Sequence, residues 1–250
     1  MISKPAASDF VITDSNFRPI TIVEYDGRSH VDDAQREKDK IKDHLCKIAG
    51  IGLLRIHSRH VTKLYRGMTL LRWIIEVCEH QRRWYTAQAD GQLPFDEPFD
   101  PAFIDPGDSA QRFPYWLSAP ATQTIHSFLK KIDLQVPKGW TVFFGRDELD
   151  TGYRLSCLYF GDKVLWSKTA VRKQELDFPQ YDLLSELDIC EFGIQLNKFR
   201  QGEIAASSTS EFRSVFETFC QRFKVDLSHS MGAFPIHGSW DPIQGWRTRQ

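Results

Sequence analysis

No two of the five cysteines, Cys46, Cys78, Cys157, Cys190 and Cys220, are close enough in the chain to form a CxxC pair, and their number is odd. That excludes a cysteine zinc ribbon and gives no disulfide framework, so a reducing, cytoplasmic setting is expected. No uninterrupted apolar run approaches the roughly 18 residues that a membrane span needs, and the opening MISKPAASDF contains no apolar signal core. A soluble protein with no membrane partner is the expectation. Neither sign of charge dominates: 32 Lys and Arg against 33 Asp and Glu leave a formal net charge of −1. Any attraction to a polyanion must therefore be local rather than a property of the whole chain. Internal repeats and low-complexity tracts are missing as well. What remains is ordinary globular material, 41% hydrophobic and 26% charged over 250 residues, long enough for two domains.

Residues 9–13 (DFVIT) and 19–25 (PITIVEY) are short β-branched runs around a turn-prone DSNFR, the pattern of a hairpin. From about Ala34 to Ala49, Ile41, Leu45 and Ile48 recur at helical spacing, Gly50 supplies a stop, and IGLLRI (51–56) follows as a third strand. Leu64, Met68, Leu71, Ile74, Ile75 and Cys78 predict one long amphipathic helix over 61–87. Residues 90–121 carry six of the twelve prolines and read as a linker or long loop. Beyond it the pattern predicts helices at 122–132, 180–200 and 209–223 and strands at 140–144, 153–160 and 163–167. The expected fold is thus an α/β mixed-sheet core at 1–62, a helix at 63–89, a linker at 90–121 and an α+β domain at 122–250. The final stretch, AFPIHGSWDPIQGWRTRQ, reads as turn-rich surface chain.

Chemistry concentrates near the first strands. Asp9 opens the first strand and Glu24 lies fifteen positions later near the end of the second, and a hairpin of this size can bring its two ends together. Two carboxylates so placed suit a hard divalent ion that keeps several waters. Asp26 falls on the same side of the strand as Glu24 and is a third candidate ligand.

Asp9-Phe10, Glu24-Tyr25-Asp26-Gly27-Arg28-Ser29-His30, Asp39-Lys40-Ile41-Lys42, Gly50 and Leu53-Leu54-Arg55-Ile56 follow in that order within about fifty residues. In this, residues 8–56 resemble the core of the PD-(D/E)xK, or restriction-endonuclease-like, superfamily. The nearest likeness within it is an uncharacterised bacterial domain-of-unknown-function family related to very-short-patch-repair endonucleases. The resemblance implies a Mg²⁺-dependent (or Mn²⁺-dependent) endonuclease or nuclease-like protein hydrolysing DNA phosphodiesters in repair or in defence against foreign DNA. Asp9 and Glu24 match its metal-binding pair, with Asp26 as third ligand. Asp26 also stands where many members keep the lysine of E-x-K, so Lys42 becomes the candidate to stabilise developing charge. His30 matches a histidine suited to acid–base work, and Arg28, Asp39 and Arg55 are expected to line the site or contact phosphate. Superfamily cores have a helix before the first acidic strand, and only eight residues precede Asp9; the expectation is either a fragment or misassigned start, or cover of that sheet face by another segment such as the 61–87 helix.

Each residue also has a plainer reading. Asp26-Gly27 is a common turn pair, His30 can cap a helix, and Lys42 can be a solvated surface lysine. Residues 28–85 hold thirteen Lys and Arg against seven Asp and Glu, which fits phosphate contacts and fits solvated helix faces equally. His57 and His60 lack a third ligand for zinc. Trp140, Phe143, Tyr159 and Trp166 alternate as core residues of strands do. A catalytically inactive nucleic-acid-binding or protein-interaction module with a nuclease-like fold is the alternative function.

Overall fold

The computed structural model describes residues 10–26, 33–99, 116–133, 135–176, 179–232, 238–241 and 245–248. The chain divides into two compact units, Met1–Trp116 with Lys173–Gln180, and Leu117–Arg172 with Tyr181–Gln250. The expected boundary at 122 thus moves to Leu117, and eight residues from inside the expected second domain belong to the first unit.

In the first unit, β1 (Phe10–Thr13) and β2 (Pro19–Asp26) pair antiparallel, α1 (Asp33–Ala49) crosses over, and β3 (Gly52–His57) returns parallel to β2. The strand order is β1-β2-β3. The Asp14 carboxylate fixes the β1–β2 turn by accepting from the Asn16 and Arg18 amides at 2.8 and 2.9 Å. Gly50 ends α1 at φ 64°, a backbone conformation that a side chain disfavours.

The long helix predicted over 61–87 is shorter and starts later. The chain instead makes a single turn, α2 (Ser58–Val61), a small hairpin of β4 (Leu64–Tyr65) and β5 (Met68–Thr69), and then α3 (Leu70–Ala89). Arg66 and Gly67 both take positive φ, the geometry of a two-residue hairpin turn. Thr69 caps α3 by accepting from the Arg72 amide. Leu70, Trp73, Ile74 and Val77 of α3 are buried, as are Val23, Leu54 and Ile56 of the sheet. A cleft of about 1390 Å³ runs between them, lined by Ile12, Thr21 and Leu54 on one side and Ile74, Cys78 and Tyr85 on the other.

The stripe that announces α1 in the sequence faces outward. Ile41, Leu45 and Ile48 are 60%, 59% and 71% exposed, whereas Asp39 and Cys46 are buried and Lys42 and Asp43 mostly covered. The reason lies across from the helix, where Glu24 and Arg55 are themselves buried. A buried charged surface demands charged partners.

The second unit is an antiparallel sheet of order β10-β6-β7-β8-β9. Its strands are β6 (Lys138–Arg146), β7 (Gly152–Phe160), β8 (Lys163–Val171), β9 (Ser207–Ser208) and β10 (Lys224–Gly232), and its helices α4 (Ala119–Lys131), α5 (Gln180–Arg200) and α6 (Thr209–Arg222). Phe212, Phe216 and Phe219 of α6 pack with Phe143, Leu155 and Cys157. Ile125 of α4 and Phe192 and Leu196 of α5 pack with Trp140, Val142 and Leu158. Trp140 and Phe143 are core residues, with Tyr159 and Trp166 packed against the α6 cluster. Helix α4 begins within the expected linker, with Pro120 in its first turn, where the missing N–H does no harm. Strand β10 has no counterpart among the predicted strands. Its register slips between Leu227 and His229, which breaks the alternation that would announce it. The final segment forms a hairpin of β11 (Gly238–Asp241) and β12 (Gly245–Thr248).

Candidate active site

The parallel register of β2 and β3 places Glu24 directly beside Arg55. Arg55 Nε lies 3.2 Å from Glu24 Oε2, and Arg55 Nη2 lies 2.6 Å from Asp43 Oδ1 on α1. Lys42, one residue before Asp43, donates its ammonium to the other oxygen of Glu24, Oε1. Three elements therefore meet on one carboxylate, from positions 24, 42 and 55. Arg55 is 1% exposed at its side chain, Lys42 15% and Asp43 21%. Asp39, buried one turn before Lys42 and Asp43, completes the inward face of α1.

Residues far along the chain hold β3 in place. Leu53 and Glu175 exchange backbone hydrogen bonds at 2.7 and 3.0 Å. The Gln174 side chain accepts from the Arg55 amide at 2.6 Å and donates to the Arg55 carbonyl at 3.2 Å. Arg55 Nη1 reaches the Lys173 carbonyl at 3.5 Å. Cys46 is also on this face of α1, and burial first, then the Glu24 carboxylate, pushes its pKa up, which disfavours the thiolate.

Of the residues predicted for the site, Glu24 and Lys42 are brought into contact, and Arg55 and Asp39 are buried. Arg55 lines the site, with its guanidinium held between the Glu24 and Asp43 carboxylates. Asp9, Arg28 and His30 lie outside the described residues, as does the side chain of Asp26. The described part of β1 begins at Phe10, which pairs with Val23, the neighbour of Glu24. Asp43 and Gln174 were not anticipated. Asp43 stands four residues after Asp39, a spacing that shares a helix face, whereas Gln174 lies 119 residues from Arg55 with no sequence signal.

A divalent ion would find one hard oxygen ligand here in Glu24. Among the described residues no group of three or more His, Cys, Asp or Glu side chains assembles to hold a metal. Glu24 is thus the described member of the expected Asp9, Glu24 and Asp26 set. Its Oε1 is a carboxylate oxygen of the kind such an ion takes, and its present partner is the Lys42 ammonium.

The local basic excess is partly neutralised by neighbours. Lys40 pairs with Glu37 at 2.7 Å and Arg72 with Glu76 at 2.8 Å, and Arg83 pairs with Glu79. His60 is 1% exposed; its Nδ1 lies 2.7 Å from the Tyr65 hydroxyl and its Nε2 accepts from Arg59 at 2.9 Å. Both ring nitrogens are engaged within the fold.

No helix among the described residues is long and apolar enough to cross a membrane. No curated protein and no solved structure matches the chain. Residues 2–69 match the model of a family described as a protein of unknown function, DUF2726, and that stretch contains β1 to β5 and the meeting of Glu24, Lys42 and Arg55.

Proposed function

We propose that the first unit is a metal-dependent phosphodiester hydrolase of restriction-endonuclease type, acting on DNA in repair or in defence against foreign DNA. The observation that carries the reading is the contact of Glu24 on β2 with Lys42 on α1. It brings the ammonium of a lysine on the helix to the carboxylate, while the strand position of the E-x-K lysine holds Asp26. A Mg²⁺ or Mn²⁺ ion held by Glu24 with Asp9 and Asp26 would supply Lewis acidity toward a phosphate oxygen and lower the pKa of water beside it. Lys42 offers its ammonium to the charge that develops on the phosphate. His30 is placed by the sequence motif to carry a proton. Arg55, with Asp43 and Gln174 behind it, fixes the orientation of the Glu24 carboxylate. Supercoiled plasmid incubated with Mg²⁺ and the purified protein, beside Asp9→Ala and Glu24→Ala, tests this; equal cleavage by all three contradicts it.

A second reading, a nuclease-like module that binds nucleic acid or protein without cutting, is favoured by one fact. Both oxygens of Glu24 are already engaged by cations of the chain itself. DNA binding that is indifferent to Mg²⁺ and to Glu24→Ala would support it.

A further inference from the structure

Leu53 and Arg55 turn their main-chain groups to the outer edge of β3, away from β2, and a short segment 119 residues further along takes all of them. Leu53 exchanges hydrogen bonds with the backbone of Glu175, as an isolated antiparallel bridge. At Arg55 no backbone arrives. The Gln174 carboxamide stands in for a peptide unit there, accepting from the Arg55 N–H at 2.6 Å and donating to its carbonyl at 3.2 Å. The Lys173 carbonyl takes Arg55 Nη1 as well. Gly52 makes room for this segment: a Cβ there would lie 2.9 Å from Thr21 Oγ1, 3.2 Å from Leu176 Cδ2 and 3.4 Å from the Glu175 carbonyl oxygen. Its φ is not positive, so the glycine serves close approach rather than a turn. Little apolar surface goes with these hydrogen bonds. Of residues 173–176 only Gln174 is buried, and Lys173 spends its ammonium on Glu175, within the segment, at 3.1 Å. Leu53, Leu54 and Ile56 of β3, by contrast, are all buried. A segment held by hydrogen bonds with little apolar burial opens before the sheet it rests on.

We propose that residues 173–176 are a latch that leaves and rejoins the β3 edge without unfolding of the sheet, and that Arg55 transmits its state to Glu24. Docked, the latch holds Arg55 at its N–H, its carbonyl and Nη1, which keeps Nε against Glu24 Oε2 at 3.2 Å. Undocked, Arg55 loses those three holds and the Glu24 and Asp43 carboxylates alone compete for its guanidinium. The latch lies between β8 and α5, so whatever draws on that connection acts on Glu24. Control of catalysis by the latch rests on the reading of Glu24 as the reactive carboxylate given above; the latch itself does not.

The test uses the full chain without metal or DNA. Hydrogen exchange is followed by NMR at single amides and at the Arg55 Nε–H, which donates to Glu24. In the wild type the amides of Leu53, Arg55 and Glu175 should exchange about tenfold faster than those of Leu54 and Ile56, the alternate residues that face β2. Those three amides and the Arg55 Nε–H should also share one shallow dependence on urea, the mark of a small opening. Glu175→Pro removes the N–H that the Leu53 carbonyl takes and lies outside the β2–β3 pairing. It should speed the Leu53 and Arg55 amides and the Arg55 Nε–H by about tenfold, with Leu54 and Ile56 nearly unchanged. Wild-type Leu53, Arg55 and Glu175 amides that exchange no faster than Leu54 and Ile56, with the same steep urea dependence, overturn the latch, and that comparison requires no variant to fold. An Arg55 Nε–H that follows Leu54 and Ile56 rather than the latch amides overturns the transmission to Glu24. A wild type that meets these expectations but fails to cleave DNA contradicts the parent reading and leaves the latch standing.

Discussion

Glu24 and Arg55 are opposite partners in the parallel register of β2 and β3, and their side chains meet at 3.2 Å on the face covered by α1. The strand pairing itself thus builds the ion pair that orients the candidate catalytic carboxylate. Both residues are buried, and removing one member of a buried pair leaves the other uncompensated. Arg55→Leu is expected to destabilise the first unit by about 3–5 kcal/mol. Lys42→Met should cost less, about 1–3 kcal/mol, because Glu24 then keeps Arg55 as its counter-charge. Urea dependence of amide exchange in the β2 and β3 peptides measures both, and equal losses would mean that the two cations are equivalent.

Gln174→Ala removes the partner of both the Arg55 N–H and the Arg55 carbonyl. Leaving such groups buried and unsatisfied costs about 1–3 kcal/mol. The Arg55 amide should exchange at least tenfold faster than in wild type, while amides of β6 to β8 keep their rates.

In the second unit Glu186 accepts from the Ser118 amide at 2.8 Å and from the Ser118 hydroxyl at 3.0 Å, at the start of α4. Burial outweighs those hydrogen bonds and raises its pKa from 4.5 to about 7. The folded state therefore holds the proton more tightly than the unfolded one. The resulting stabilisation is complete below about pH 4.5 and is lost as pH rises through about 7. Thermal unfolding from pH 5 to pH 8 should show a decline of about 2 kcal/mol, and Glu186→Gln should flatten it. An unchanged slope in that variant would assign the pH dependence to other groups.

A Cβ added at Gly193 of α5 would lie 2.5 Å from the Ala121 Cβ of α4. In a free helix Gly→Ala stabilises by about 1 kcal/mol. Here overpacking reverses the sign, and Gly193→Ala should lower stability by about 1–3 kcal/mol, read as a drop in Tm. A rise in Tm would show that α4 and α5 can separate without loss.

The hairpin, crossover helix and returning strand of the first unit are legible because β-branched runs, helical spacing and Gly50 all act locally. The meeting of Glu24 with Lys42 is legible only through the ordered motifs, since nothing in the spacing from 24 to 42 specifies contact. Helix α1 is the instructive failure of periodicity. Ile41, Leu45 and Ile48 mark it as a helix, yet it turns Asp39, Lys42, Asp43 and Cys46 inward, because the sheet it covers is charged there. Gln174 could not be read at all, for its role depends on the chain returning to β3 after building most of another sheet. Strand β10 is hidden by its own bulge, and the 61–69 stretch by apolar residues whose helical spacing is overridden by the Arg66-Gly67 turn.

The central claim is that Glu24 is a catalytic carboxylate rather than only half of a structural ion pair. Single-turnover cleavage of a labelled DNA duplex, with Mg²⁺ and with excess chelator, separates the two for wild type and Glu24→Gln. Glutamine keeps the shape and one acceptor of the side chain but not its charge. The account predicts Mg²⁺-dependent cleavage by the wild type and at least a hundredfold slower cleavage by Glu24→Gln, a loss of roughly 3 kcal/mol in transition-state stabilisation, with DNA binding retained. Cleavage by Glu24→Gln at the wild-type rate, or no Mg²⁺-dependent cleavage by either protein, would contradict it.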